Sequence, residues 1–128
     1  MEYILDTHIL LCIVDDNPKL SKNVKSIYLN PSNDMYISLA SIWELVIKIS
    51  LQKLIIEDSI TNFIKKHIRG NNITILDITL NHIIGLENLP YYHRDPFNRL
   101  IISQSILEKI PIISNDKSFD KYPIKRVW

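Results

Sequence analysis

An α/β fold, with a central parallel sheet of four to five short strands flanked by helices, is what this sequence predicts, and three observations predict it. Short β-branched runs recur along the chain, at residues 3–5, 35–38, 73–78 and 112–113, too continuously apolar for strands with one wet face. Segments of helical period separate these runs, the alternation expected of a parallel sheet covered on both sides. Polar punctuation marks the junctions, and four of them carry a carboxylate: Asp6, Glu44, Asp95 and Asp116.

The elements follow in order. Asp6-Thr7 stops the first strand, and residues 8–14 continue as a helix. Residues 18–29 set Leu20, Val24 and Ile27 at helical spacing, with Asn30-Pro31 as the stop. The turn-forming Pro31-Ser32-Asn33-Asp34 leads into the second strand. Residues 41–51 then form a helix with an apolar face of Ile42, Leu45, Val46 and Ile49. Residues 59–69 give another, built on Ile60, Phe63, Ile64 and Ile68, with Gly70 positioned to cap it. The third strand precedes a short helix over residues 80–88. Asp95-Pro96 is the strongest helix start in the chain: Asp is a natural N-cap, and Pro sits at the first helical position, where no N–H is needed. Leu100, Ile101, Gln104 and Leu107 carry the period onward to Pro111, which ends the helix. Residues 112–113 make the fourth strand and residues 126–128 a fifth.

Composition narrows the function. With 128 residues the chain is expected to form a single domain, residues 1–128, around one core. Two glycines leave no room for a glycine-rich phosphate loop, which removes nucleotide-cofactor enzymes of the Walker and dinucleotide kinds. Cys12, the only cysteine, excludes an internal disulfide and a cysteine-based zinc site, and its apolar surroundings make it a buried, inert thiol. The formal charge of +1 allows nucleic-acid binding only through segregated faces. A strand-like start and the lack of an 18-residue apolar span point to a cytoplasmic chain with no membrane association.

The carboxylates carry the chemistry. The strand ends of a parallel sheet converge on one edge, so four acidic junctions suggest one acidic pocket. Each has a bland alternative. Asp6 and Asp95 can cap helices, and Asp116 can belong to a turn. Ser41 and Glu44 have capping-box spacing, although a cap at Ser38 would leave Glu44 about two turns into the helix and free. Capping by Asp95 uses one oxygen and leaves the other for a cation. Two carboxylates ~4–5 Å apart repel by ~3–4 kcal/mol at an effective dielectric near ~20, so such a pocket calls for a divalent cation. Mg²⁺ or Mn²⁺ suits an incomplete cage of hard oxygens and would activate water for phosphoester cleavage. Thr7, Ser114 and Asn115 are candidates for orienting the carboxylates, or for ordinary turn hydrogen bonds.

These junctions resemble the PIN-domain ribonucleases, specifically the VapC-type toxins of bacterial toxin–antitoxin pairs. The resemblance runs nearly end to end. It rests on Leu5-Asp6-Thr7-His8, on residues 38–48 (SLASIWELVIK) with Leu51-Gln52-Lys53-Leu54, on residues 93–100 (HRDPFNRL), and on Ser114-Asn115-Asp116 with Phe119, while Val127-Trp128 fits as well. It implies a PIN-like three-layer fold, Mg²⁺- or Mn²⁺-dependent cleavage of RNA, homodimerisation, and inhibition by a small antitoxin. The family's acidic metal positions fall on Asp6, Glu44, Asp95 and Asp116. Asn98 departs from the pattern, standing where many relatives have a further Asp; its amide oxygen can still ligate or hydrogen-bond.

RNA approaching an acidic pocket needs cations around it. His8, Lys48, His93, Arg94, Arg99 and Lys117 lie near the junctions, with an i,i+4 pair to Glu44 as the alternative for Lys48. Tyr91 and Tyr92 can stack on bases or pack on the domain edge. Leu10, Leu11, Ile27, Tyr28 and the 42–49 face exceed what one sheet face needs, which suggests an antitoxin groove or dimer contact. Two rivals stand against the nuclease. A phosphoacceptor receiver-like domain would want adjacent acids after the first strand and a Lys at the end of a late one; Asp6 is followed by Thr7, and Ser114-Asn115-Asp116 supplies no Lys at the strand end. A catalytically decayed module that binds RNA or protein would explain Asn98.

Overall fold

Side-chain alternation along three short strands decides how the layers form. The computed structural model describes residues 1–128. Its five strands are β1 (Glu2–Leu5), β2 (Asp34–Ser38), β3 (Ile73–Leu76), β4 (Ile112–Ile113) and β5 (Arg126–Val127), all parallel, in the order β3-β2-β1-β4-β5. Tyr3, Leu5, Met35, Ile37 and Ile113 point into one core, while Ile4 and Ile112 point into the other. This is the period of two expected of a strand buried on both faces. Each fully buried Ile or Leu here contributes roughly 1.5–3 kcal/mol of hydrophobic free energy.

The larger core is closed by α1 (Thr7–Val14) and α2 (Lys22–Leu29), by Leu45 of α3 (Leu39–Ser50), and by Phe63 of the short α4 (Ile60–Phe63). The smaller is closed by Leu100 and Ile101 of α6 (Pro96–Glu108), which also packs against α5 (Leu80–Ile84). Gly85, just past α5, is required by space: a Cβ there would lie 2.6 Å from Ser103 Oγ on α6. The result is the α/β sheet with flanking helices that the sequence predicts. No helix is long and apolar enough to cross a membrane.

Several local expectations change. The second helix begins at Lys22, not residue 18, because Ser21 caps it through Val24 N–H. Ser38, not Ser41, caps α3 by accepting from Ala40 N–H, so Glu44 is not part of a capping box. Residues 59–69 do not run as one α-helix: α4 passes into a π-helical turn (Ile64–Ile68) and a 3-10 turn (Arg69–Asn71). Gly70 lies inside that turn, and Asn72, with φ 56°, supplies the left-handed stop. Similarly, α6 ends at Lys109 with φ 56°, ahead of Pro111. Leu107 is exposed and Leu10 is fully buried, the reverse of their expected surroundings.

Candidate functional site

The chain winds outward from β1 to β3 and then crosses back to β4 on the other flank of β1. A crevice forms where the strand order reverses, at the carboxyl ends of β1 and β4. Asp6 leaves the end of β1 and Ser114-Asn115-Asp116 leave the end of β4. α3 leaves β2 next door, carrying Glu44, and α6 begins at Asp95.

Asp6 occupies the N-cap position of α1 without capping it through its side chain. Its Oδ2 instead accepts from Ser114 Oγ at 2.8 Å, and that hydroxyl oxygen accepts from Asp116 N–H at 3.0 Å. Burial raises the Asp6 carboxyl above its ordinary 3.8; the Ser114 bond works against this, while Asp116 and Glu44 push it further up. Three of the four acidic positions therefore share one field. Thr7 Oγ1 donates to Ser41 Oγ at 2.7 Å, in a buried contact that fastens α1 to α3 one turn before Glu44.

The remaining carboxylates are each turned to a local partner. Glu44 Oε2 meets Lys48 Nζ at 3.1 Å, the i,i+4 alternative, while Oε1 is buried with no partner. Asp95 caps α6 through Oδ1 alone, accepting from Phe97 N–H at 2.8 Å and Asn98 N–H at 3.3 Å, so Oδ2 keeps its capacity. Asp116 Oδ1 accepts from Ser118 N–H at 2.9 Å, and Oδ2 lies 3.3 Å from His93 Nε2. Burial raises Asp116 too, but Ser118 and His93 outweigh it and hold the carboxyl below 3.8.

His93 joins the halves of the site. Its Nδ1 accepts from Asp95 N–H at 3.3 Å, which leaves Nε2 to donate to Asp116; the Asn98 amide group, 3.1 Å from the same nitrogen, can bond to it in that tautomer only through its oxygen. The ring also stacks on Phe119. The divided loyalties of the carboxylates have one consequence: no group of three His, Cys, Asp or Glu side chains stands close enough to hold an ion. The single clustered pocket expected from the sequence is thus more open: Asp6, Glu44 and Asp116 share one field, and Asp95 joins them only through His93. The donor set still fits a hard divalent cation, because Glu44 Oε1 is an orphaned buried oxygen and Asp6 is a buried carboxylate with no ion-pair partner.

Two expected residues stand elsewhere. Asn115 is exposed and bonds to none of the carboxylates. Arg99 is 5% exposed and does not face the crevice: it donates to the carbonyls of Leu89, Pro90 and His93. A guanidinium fork one turn into α6 reaches the loop that runs back past the helix start, and three carbonyls outcompete water for it. His8, Arg94 and Lys117 are exposed. Cys12 is buried, and burial pushes its thiol up, in line with an inert role. Sequence reasoning missed Arg126, whose Nη1 holds the Ser114 carbonyl at 3.0 Å, and Tyr122, whose hydroxyl accepts from His93 N–H at 2.8 Å. Neither lies near a junction motif, and only the pairing of β4 with β5 brings Arg126 there.

Comparison with known proteins sets this crevice in context. A family model described as PIN domain matches residues 3–125. No curated protein sequence matches the chain. Among solved structures, VapBC2 from Rickettsia felis, bound to a DNA fragment from its promoter, aligns with TM-score 0.71 at 21% identity, covering 99% of this chain and 98% of that one. DNA-bound VapBC from Salmonella typhimurium gives TM-score 0.71 at 18% identity, covering 99% and 97%. VapBC-1 from nontypeable Haemophilus influenzae gives 0.67 at 14%, again covering 99% and 97%. At these identities the likeness is one of fold.

Proposed function

Because the chain belongs to the PIN domain family, we propose that it is a Mg²⁺- or Mn²⁺-dependent endoribonuclease that hydrolyses RNA phosphodiesters in the cytoplasm, as the toxin of a toxin–antitoxin pair. The observation that carries this reading is the condition of Asp6. It is a buried carboxylate raised by its surroundings, pressed by two others and paired with no cation. A buried carboxylate kept for structure would meet a base, and Asp6 has none at ion-pairing distance.

Asp6, Glu44, Asp95 and Asp116 are the residues proposed to hold the cation, which when bound would supply an activated water and stabilise the departing oxyanion. The chain's own groups prepare that arrangement. Ser114 orients Asp6, Thr7 and Ser41 fix the register of the Glu44 helix, and His93 steadies Asp116. Lys48, half exposed, offsets Glu44 and can swing toward a phosphate. Arg94 and Lys117 offer the rim cations that a polyanionic backbone requires, and the exposed His8 a hydrogen-bonding group beside them.

The proposed partner is a small antitoxin protein, as in the VapBC complexes. A groove of about 520 Å³, with an apolar floor of Leu11, Val14, Leu54, Ile55, Ile56 and Phe63 beside the charged Asp15, Glu57, Asp58 and Lys66, suits one amphipathic helix of such a partner. A homodimer is proposed as the working form, since Trp43 and Val46 of α3 and Leu80, Ile83 and Ile84 of α5 stand exposed.

Purified chain incubated with total RNA should leave defined cut ends with Mg²⁺ and none with EDTA. Asp6→Asn and Asp95→Asn should leave none in either case while still melting cooperatively. Cleavage by both variants, or cleavage that survives EDTA, would overturn the assignment. The decayed-module reading has one observation in its favour, the lack of a closed three-residue cage. It predicts retention of RNA with no cut ends.

A further inference from the structure

The segment between Leu89 and Asp95 is fixed more tightly than a loop needs to be for its own sake. Arg99 grips it from below through Leu89 O at 3.0 Å, Pro90 O at 2.9 Å and His93 O at 3.3 Å. The buried Tyr122 hydroxyl donates to Pro90 O at 2.7 Å and accepts from His93 N–H. All this anchoring holds an aromatic side chain out in water. Tyr91 is 74% exposed, and the contact that orients its ring is the Arg99 guanidinium, 3.7 Å from the ring centroid.

That guanidinium is a buried positive charge with no carboxylate at ion-pairing distance. Carbonyl dipoles and one aromatic face are its compensation, so a net positive field emerges through Tyr91. An exposed ring backed on one face by a cation that no carboxylate neutralises is complementary to an electron-rich π-system attached to an anion. An unpaired nucleotide is such a ligand. The position suits it as well: Tyr91 is two residues ahead of His93, whose imidazole reaches Asp116.

We propose that Tyr91, backed by Arg99, is the stacking platform for one unpaired base of the RNA, and that it sets which phosphodiester reaches the acidic crevice. This rests on the ribonuclease reading above and adds a substrate subsite to it. Duplex RNA cannot offer a free base face, so the platform selects single-stranded segments.

The test measures binding of a fluorescent single-stranded oligoribonucleotide by anisotropy, in full-length Asp6→Asn chain with Mg²⁺ present, so that cleavage does not intervene. Adding Tyr91→Ala should weaken binding roughly tenfold, the scale of one lost base stack, whereas Tyr91→Phe and Tyr91→Trp should stay within about twofold. A series of oligonucleotides, each made abasic at a different position, sharpens the comparison. One member should bind equally well with Tyr91 present or replaced by alanine, because it lacks the base that the ring would have held. In a chain carrying no other substitution, Tyr91→Ala should also redistribute the cut positions. Unchanged affinity and unchanged cut positions in Tyr91→Ala, with the chain still cleaving RNA, would overturn the platform and leave the nuclease standing. No RNA binding by any version would overturn both. Unchanged RNA affinity with a lower sedimentation mass for Tyr91→Ala would assign the ring to a protein contact, and so overturn the proposal too.

Discussion

Asp6 and Asp116 leave neighbouring strand ends and lean on the same serine, yet their carboxyls move in opposite directions from 3.8. Burial acts upward on both. On the β1 side it wins, because Asp116 and Glu44 reinforce it and only the Ser114 hydroxyl and the His8 backbone N–H oppose it. On the β4 side Ser118 and His93 overcome it. One half of the crevice is left electrostatically unsatisfied and the other is settled. On the proposed reading the unsatisfied half is where a cation would bind, with the settled half as its wall.

The largest effect should come from the unsatisfied half. Asp6→Asn removes the charge but keeps the oxygen that accepts from Ser114, and cleavage should fall by on the order of 100-fold or more, measured on a defined RNA. If Asp116→Asn proves far more damaging than Asp6→Asn, the contrast between the two halves fails. Next, Arg99→Met should strip three loop carbonyls of their donor and lower stability by about 3 kcal/mol in urea unfolding. A smaller loss would mean that Tyr122 alone holds the wall. Ser114→Ala should then weaken Mn²⁺ binding by roughly 10-fold to 100-fold, since the serine orients Asp6 rather than ligating.

The smallest effect is one of sign. Because the native carboxyl of Asp6 lies above 3.8, the folded chain retains a proton that the unfolded chain releases in the interval between the two values. The stability this group contributes is full below 3.8 and is lost as pH rises through its native value. Asp6→Asn should therefore raise the melting temperature at pH 7, and the gain should shrink toward pH ~4. A variant that melts lower at pH 7 would contradict the direction of the shift.

What the sequence made legible follows a physical division. Asp95-Pro96 announced its helix because cap, proline and period are all local, and the cap indeed uses one oxygen only. Strand order was not written in any single segment, but alternation of helix and strand implied a parallel sheet. Gly70 misled because a π-helical turn moved the stop to Asn72, a choice made by packing of Phe63 and Ile68 rather than by glycine's freedom. Thr7 was recognisable as a candidate, whereas its partner Ser41, 34 residues away, was visible only as a helix cap. Arg99 read as an RNA-facing cation because charge is legible in sequence and direction is not.

The central claim is that Asp6, Glu44, Asp95 and Asp116 jointly take up a divalent cation. Titration calorimetry with Mn²⁺ at pH 7 tests it most directly. Saturable binding by the native chain, lost in both Asp6→Asn and Glu44→Gln, is the predicted result. No heat from the native chain, or equal binding by both variants, would contradict it.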